Sequence, residues 1–278
     1  MRQRKGGARG SSQALSWTEL PHPLQWNDDL LHADLLRAHA LHADLLHADL
    51  LYANLLHVDA LHADLARRHD CLILGASRPY FAGPRPVNRA TLYGPDGILG
   101  HQDKQIMTRF EREQWDVVAG SGLVPFDTDL GRIGVIICYD SEFPLLARHL
   151  VDQGAEILLA PSCTDSLAGF TRVRIGAMAR ALENQCVVAQ SPTVGLCDFC
   201  PAVDENVGSG AIYGPPDLGF PPTGILAETP LNTPGWALAD VSLEAVRLVR
   251  RDGRVLNHRH WSEQGARIAA AGLGPESS

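Results

Sequence analysis

The pattern of apolar and polar positions changes near residue 69. From there to about residue 262, short apolar runs alternate with segments of helical periodicity. The runs typical of strands are CLILGASRP, NRATLYGPDGILGHQDK (two strands around a Pro-Asp-Gly turn), RIGVIICYD, EILLAPSC and CVVAQSPTVG. Helical periodicity is found in FPLLARHLVDQGA, with Gly154 as its C-cap, and in TRVRIGAMARALENQ. This alternation predicts a layered α/β domain, closed by the edge strands of GAIYGPPDLGFPPTGIL and a helix in GWALADVSLEAVRLVR.

Ahead of this domain, residues 33–67 repeat with a period of five: ADLLR AHALH ADLLH ADLLY ANLLH VDALH ADLAR. An α-helix turns by about 100° per residue, so leucines five apart rotate around the axis instead of forming one apolar face. The pattern A-(D/N)-L-x-x resembles pentapeptide-repeat proteins, whose repeats build a square β-solenoid. Yet seven units are few for a solenoid, and the segment lacks Gly and Pro and is rich in helix-forming Ala and Leu. A solenoid, a helical or fluctuating segment, and a recently expanded repeat without selected structure all remain open.

These patterns divide the chain into four parts: a poorly ordered lead-in over 1–29, the pentad repeats over 30–67, the α/β domain over 68–262 and a tail over 263–278. The basic, Gly-rich start lacks the apolar segment of a signal peptide, and no stretch of 18 apolar residues follows. We therefore expect a cytoplasmic protein that does not enter a membrane. The net charge of -8 makes nucleic acid an unexpected partner.

Neither the histidines nor the cysteines predict a metal site. Seven of the twelve histidines lie between His32 and His69, where they recur because the repeat recurs, at positions expected to face outward. Cys197 and Cys200 form a CxxC, but zinc needs four ligands and no second CxxC exists, so we interpret them as loop thiols. The remaining cysteines at strand ends are expected to be small core residues: Cys71, Cys163 and Cys186.

The chemically suggestive residues follow predicted strands. Cys138 ends the apolar run IGVIIC, and the carboxyl ends of strands are where α/β folds place their chemistry. Lys104 follows the strand ILGHQD. A thiol reacts as its thiolate, so a nucleophilic role of Cys138 requires a group that activates it.

Four segments, in this order, carry a resemblance to a known family: DKQIMTRFEREQW, GVIICYDSEFPLLAR, RIGAMARALENQ and NHRHW. The run from Leu72 to about Trp261 resembles the nitrilase, or carbon–nitrogen hydrolase, superfamily, and in particular its bacterial amidase-like branch. The resemblance implies an α-β-β-α sandwich that forms homo-oligomers. It also implies a hydrolase that cleaves the non-peptide carbon–nitrogen bond of a small amide or nitrile through a cysteine thioester, without cofactor or metal.

The resemblance assigns a role to each matching residue. Cys138 is the nucleophile, and Lys104 favours its thiolate and holds the developing oxyanion together with the backbone N–H of Tyr139. Glu111 positions the substrate and the reacting groups, and Glu142 orients Lys104. For the two glutamates the alternative is an ordinary surface charge or salt bridge.

One member of the family's catalytic set has no counterpart here. The general-base glutamate should lie well upstream of Lys104, where this chain has its repeats, and the repeats contain no glutamate. The only earlier glutamate is Glu19, and the aspartates of the repeats are expected to face outward: Asp34, Asp44, Asp49, Asp59 and Asp64. The first strands of the family fold are thus expected to be absent or replaced. Three alternatives follow: an active hydrolase, a catalytically impaired homologue that serves binding or assembly, or a truncated or rearranged gene product.

Overall fold

The computed structural model describes residues 45–197 and 203–271 and contains two main β-sheets. The strands of the first sheet are β1 (Ile73–Leu74), β2 (Arg78–Tyr80), β3 (Val87–Gly94) and β4 (Gly97–Asp103). The long strand β3 is central: β1 and β2 pair with one edge and β4 pairs with the other, all antiparallel. The predicted hairpin is thereby confirmed, and its turn contains Gly97 at φ 123°, a backbone angle that glycine adopts readily.

The second sheet has parallel strands in its middle and antiparallel strands at its edges. Its order is β12-β11-β8-β7-β6-β5, in which β6, β7 and β8 are parallel. A separate two-stranded ribbon joins β9 to β10. The strand bounds are β5 Phe126–Thr128, β6 Gly131–Val135, β7 Ile157–Ser162, β8 Val187–Pro192, β9 Gly195–Leu196, β10 Glu205–Asn206, β11 Ala211–Tyr213 and β12 Ile225–Glu228.

Seven α-helices are described, and the predicted ones are among them. Their bounds are α1 Leu45–His69, α2 Arg109–Glu113, α3 Pro144–Asp152, α4 Leu167–Asn184, α5 Leu243–Asp252, α6 Asn257–His260 and α7 Glu263–Ala270. The C-cap of helix α3 is Gln153, one residue before the predicted Gly154, which follows it with φ 97°. Helix α4 begins four residues before its predicted start because Ser166 caps it, with the Ser166 Oγ accepting from Gly169 N at 3.2 Å.

Two apolar clusters define the layers. One cluster lies between the second sheet and helices α3 and α4, and includes Ile136, Leu150, Leu158, Ala177 and Val188. The other lies between the two sheets, and includes Ala90, Val135, Ile137 and Cys138 with Leu74 and Phe126 packed against them. Helix α1 contacts β3 and β4 on the outer side of the first sheet. The order helix, sheet, sheet, helix is the α-β-β-α sandwich that the family resemblance implies.

The described part of the repeat, residues 45–67, is helical and belongs to α1. This part of the repeat is therefore not a solenoid. A segment rich in Ala and Leu can satisfy its backbone hydrogen bonds within a helix and bury one side of that helix on the sheet. The rotation of the leucines is visible at the fourth position of consecutive repeats, where Leu56 is 51% exposed and Leu61 is partly buried. Residues 33–44, like the lead-in over 1–29, lie outside the described residues.

The expectation that the repeat aspartates face outward is wrong for Asp59. Both of its carboxylate oxygens lie 2.8 Å from Arg78 Nη2, and the Tyr93 hydroxyl also donates to it. Asp64, one repeat later, does face outward and pairs with Arg67 and Arg68. Five residues correspond to more than one helical turn, so consecutive repeat aspartates point in different directions. The side chains of Asp34, Asp44 and Asp49 lie outside the described set.

No helix in the described part of the chain is long and apolar enough to cross a bilayer.

Candidate active site

Cys138 lies at a sharp turn between the sheets. Strand β6 ends at Val135, two buried isoleucines follow, and Cys138 then begins a 3-10 helix, Cys138–Glu142. Its φ of 50° is in the left-handed region, which a residue with a side chain adopts at a cost of about 1–3 kcal/mol. Such a conformation persists only where the surrounding structure holds it, so the packed sandwich fixes the position of this thiol.

Lys104 and Glu111 form a buried ion pair. Lys104 follows β4 directly and is 3% exposed, and Glu111 in α2 is 6% exposed. The distance from Lys104 Nζ to Glu111 Oε2 is 2.6 Å. Oε2 also accepts from the backbone N–H and the hydroxyl of Thr108, both at 2.8 Å, and Oε1 accepts from Asn88 Nδ2 at 3.0 Å. The pair is thus held by groups from β3, β4 and α2.

The charge state of Glu111 follows from these contacts. Burial alone would raise the pKa of the Glu111 carboxyl, but the charge of Lys104 and the hydrogen bonds from Lys104, Asn88 and Thr108 outweigh it and lower the pKa. Glu111 is therefore an anion at neutral pH. Its hydrogen bonds hold the Lys104 ammonium in one place within the site.

The thiol of Cys138 is buried and protonated at neutral pH. Burial raises the pKa of Cys138, while the charge of Lys104 and the backbone N–H of Tyr139 act in the opposite direction. The Sγ atom donates to the carbonyl oxygen of Cys163 at 3.5 Å. Within residues 56–197 and 203–271, no carboxylate forms a hydrogen bond with this sulfur. The hydrogen-bond acceptor of the thiol in this part of the chain is thus a backbone carbonyl.

Asp140 is a site residue that sequence reasoning missed. Its buried carboxylate accepts from Ile106 N at 2.8 Å, from Ile137 N at 3.1 Å and from Gln105 N at 3.2 Å. It therefore joins the segment that follows Lys104 to the turn that carries Cys138. Burial raises the pKa of Asp140 to about 6. An aspartate two residues after a thiol at the end of an apolar strand was the signal available in the sequence.

The remaining predicted site residues take different positions. Glu142 pairs with Arg172 at 3.6 Å, so the contact with Lys104 expected from Glu142 is made by Glu111 instead. Tyr139 places its backbone N–H near the Cys138 sulfur, and its ring packs edge-on against Phe143 at 4.9 Å. The alternative of an ordinary salt bridge therefore describes Glu142, and Glu111 belongs to the site.

Two of the cysteines expected in the core are exposed. Cys71 and Cys163 are exposed, whereas Cys186 is buried as predicted. Cys163 follows β7, and its thiol donates to Asn206 Oδ1 at 3.2 Å. Because its carbonyl meets the Cys138 sulfur, Cys163 borders the site, although sequence reasoning placed it in the core. Cys197 is buried and Cys200 lies outside the described residues.

No group of three or more metal-ligating side chains is positioned to hold a metal ion within residues 56–197 and 203–271. The chemistry that the described residues can provide is that of a thiol, a fixed ammonium and two buried carboxylates.

Comparison with known proteins identifies the class. The family model for carbon-nitrogen hydrolase matches residues 43–251, so the chain belongs to the carbon–nitrogen hydrolase family. The match begins within the repeat and includes all of α1.

Individual relatives match parts of the chain. It is 38% identical over 191 residues to the probable hydrolase YhcX of Bacillus subtilis, covering 69% of this chain and 37% of that protein. It is 33% identical over 149 residues to a deaminated glutathione amidase of Bos taurus, covering 53% and 42%. The chain therefore spans less than half the length of these two relatives. The crystal structure of a carbon-nitrogen hydrolase from Helicobacter pylori superimposes with a TM-score of 0.61 at 22% identity over 72% and 71% of the two chains, which shows the shared fold.

Proposed function

We propose that the protein hydrolyses the non-peptide carbon–nitrogen bond of small amides or nitriles, with Cys138 as the nucleophile. The observation that carries this proposal is the position of the buried Cys138 thiol within the field of Lys104, which Glu111 in turn holds at 2.6 Å. Membership of the carbon–nitrogen hydrolase family and amidases among the relatives support it. Assembly into homo-oligomers and location in the cytoplasm stay predictions.

For an amide, the reaction proceeds in two halves. The Cys138 sulfur loses its proton and attacks the carbonyl carbon, and the electron pair of the C=O bond moves to oxygen. The Lys104 ammonium and the Tyr139 N–H stabilise this oxyanion. Collapse of the intermediate re-forms the C=O bond and breaks the C–N bond; the nitrogen leaves as ammonia with the proton that the thiol gave up, and a thioester remains. Water then attacks the thioester, which yields a carboxylic acid and the free thiol.

Glu111 acts in this scheme by holding the Lys104 ammonium in place. Its carboxylate fixes the direction of the ammonium before the reaction starts, so the oxyanion meets a charge that is already in place. Because Glu111 is held by Thr108 and Asn88 as well, it keeps this position during the reaction.

The second candidate is a catalytically impaired homologue that serves binding or assembly. It is favoured by one observation: no carboxylate within residues 56–197 and 203–271 forms a hydrogen bond with the Cys138 sulfur. Loss of a positioned general base costs about 10²–10⁴-fold in rate. The two candidates therefore differ in whether turnover is detectable.

Release of ammonia from a panel of short aliphatic amides and nitriles separates the candidates. The proposal predicts turnover that is abolished in Cys138→Ala and retained in Cys71→Ala, a matched change at an exposed cysteine. Circular dichroism of each variant verifies folding. Absence of turnover from the folded wild-type protein on the whole panel would favour the impaired homologue, and turnover that survives in Cys138→Ala would exclude Cys138 as the nucleophile.

A further inference from the structure

A shallow cavity that is wide open to solvent and lined by cations lies among α3, α5 and α6 and shares no residue with the candidate active site. Its volume is about 550 Å³. Five arginines and one histidine line it, and no carboxylate does: Arg148, Arg247, Arg250, Arg251, Arg259 and His258. A cavity whose walls carry one sign of charge concentrates ions of the opposite sign.

Three of these arginines already have a carboxylate partner. Asp152 lies 2.7 Å from Arg148, Glu156 binds Arg247 through both oxygens at 2.7 and 2.9 Å, and Asp252 lies 2.6 Å from Arg251. These carboxylates neutralise three of the five guanidinium groups.

The other two arginines have only backbone acceptors within the described residues. Arg250 donates to the carbonyl oxygens of Gln185 at 2.9 Å and Ala155 at 3.0 Å, and Arg259 donates to that of Arg251 at 3.3 Å. Carbonyl groups carry no net charge. Arg250 and Arg259 are therefore the two lining arginines that have no hydrogen-bonded carboxylate among the described residues.

Two further observations indicate that an anion would be stabilised in this cavity. The Nε atom of Arg148 is buried and has no hydrogen-bond partner among them. Burial, together with Arg250 and Arg148, lowers the pKa of His258 to about 4. A buried donor without a partner and a histidine kept neutral by nearby cations both describe a place where an anion would be stabilised.

We propose that this cavity binds the phosphate group of a small molecule. The guanidinium groups converge from three helices, and each is a planar fork that matches phosphate geometry. A phosphate dianion can accept from several guanidinium groups at once, whereas the two oxygens of one carboxylate are satisfied by a single fork. Two guanidinium groups without a carboxylate partner match a phosphate dianion better than a monocarboxylate. This inference does not depend on the proposed amide hydrolysis.

Isothermal titration of the full chain with inorganic phosphate, against sodium chloride of equal ionic strength, tests the proposal. We expect saturable binding at one site per chain. Arg259→Gln removes an exposed guanidinium and should weaken binding about tenfold, which corresponds to one charge-assisted hydrogen bond. The matched control is Arg67→Gln on α1, at an exposed arginine whose side chain is 66% accessible, and it should leave binding unchanged.

Three results would overturn the proposal. They are the absence of saturable binding, an equal loss of binding in Arg259→Gln and Arg67→Gln, and binding of citrate without binding of phosphate. The last result would assign the cavity to carboxylates. Thermal melting of each variant verifies folding, and Cys138→Ala should bind phosphate like the wild-type protein, so failure of this proposal is separable from failure of the hydrolase proposal.

Discussion

Lys104 and Glu111 form an ion pair of 2.6 Å in which both side chains are almost completely buried. The pair joins the end of β4 to α2, and every oxygen of the carboxylate accepts at least one hydrogen bond. A buried ion pair of this kind is costly to break on one side, because the remaining charge is left without its partner in a poorly solvated place. The same pair fixes the ammonium that the proposed reaction requires.

Removal of one partner should therefore destabilise the protein. We expect Lys104→Met to lower the free energy of unfolding by about 3–5 kcal/mol, since it leaves the Glu111 carboxylate buried and uncompensated. Urea unfolding followed by circular dichroism measures this. The control Arg109→Gln breaks the exposed pair with Glu113 in the same helix and should cost less than about 1 kcal/mol. Equal losses in the two variants would show that the buried pair contributes no more to the free energy of unfolding than the exposed pair does.

Helix α4 approaches the turn of Cys138 at Gly176. A Cβ atom at Gly176 would lie 2.7 Å from the carbonyl oxygen of Ser141 in the 3-10 helix. Gly176→Ala should lower the free energy of unfolding by about 1–3 kcal/mol, because the strain exceeds the gain of about 1 kcal/mol in helix propensity. It should also reduce amide turnover by displacing Cys138. The control Gly265→Ala, in α7 with nothing within 4 Å, should be neutral or stabilising. A Gly176→Ala variant with unchanged free energy of unfolding and unchanged turnover would contradict the close packing of α4 against this turn.

The repeat helix is attached to the first sheet through Asp59. Asp59→Asn should lower the free energy of unfolding by about 2 kcal/mol, because the buried Arg78 and the Tyr93 hydroxyl lose their charged acceptor. Asp64→Asn changes the equivalent residue of the next repeat, whose pairs with Arg67 and Arg68 are exposed, and should cost less than about 1 kcal/mol. Chemical denaturation compares them. Equal effects would mean that α1 is not docked in solution as the structure shows.

Asp140 should make stability depend on pH in the acid range. Its folded pKa of about 6 lies above the ordinary value of 3.8, so the folded state binds the proton more tightly than the unfolded state does. The protonated Asp140 carboxyl stabilises the folded state fully below about pH 4, and this stabilisation is lost as the pH rises through 6. Relative to wild type, Asp140→Asn should therefore gain about 2 kcal/mol of unfolding free energy between pH 4 and pH 7. Urea unfolding at several pH values measures the difference, and a constant difference would contradict the raised pKa.

Much of the sandwich was predictable because its core strands and helices are regular. The apolar runs of β3, β6, β7 and β8 and the periodicity of α3 and α4 are local signals, and the structure confirms them. The repeat was different: a period of five matches neither a strand nor one face of a helix, so the pattern alone left its structure open. Only contacts with the sheet, such as those of Asp59, show which side of the helix is buried.

The candidate site was predictable in its residues more than in their contacts. The sequence motifs indicate Cys138, Lys104 and Glu111, and the structure brings these three together. The partner of Lys104 was not predictable, because Glu111 and Glu142 are both plausible until the direction of α2 is known. Asp140 was missed since its role lies entirely in backbone N–H groups from two separate segments.

The central claim is that Cys138 forms a thioester with the substrate. The most direct measurement is the intact mass of the full-length protein, acid-quenched during turnover of an amide that the wild-type protein hydrolyses, followed by peptide mapping. The account predicts a mass increase equal to the amide minus ammonia, located on the peptide of Cys138, present in Cys71→Ala and absent in Cys138→Ala. An adduct on another residue, or one that persists in Cys138→Ala, would contradict it.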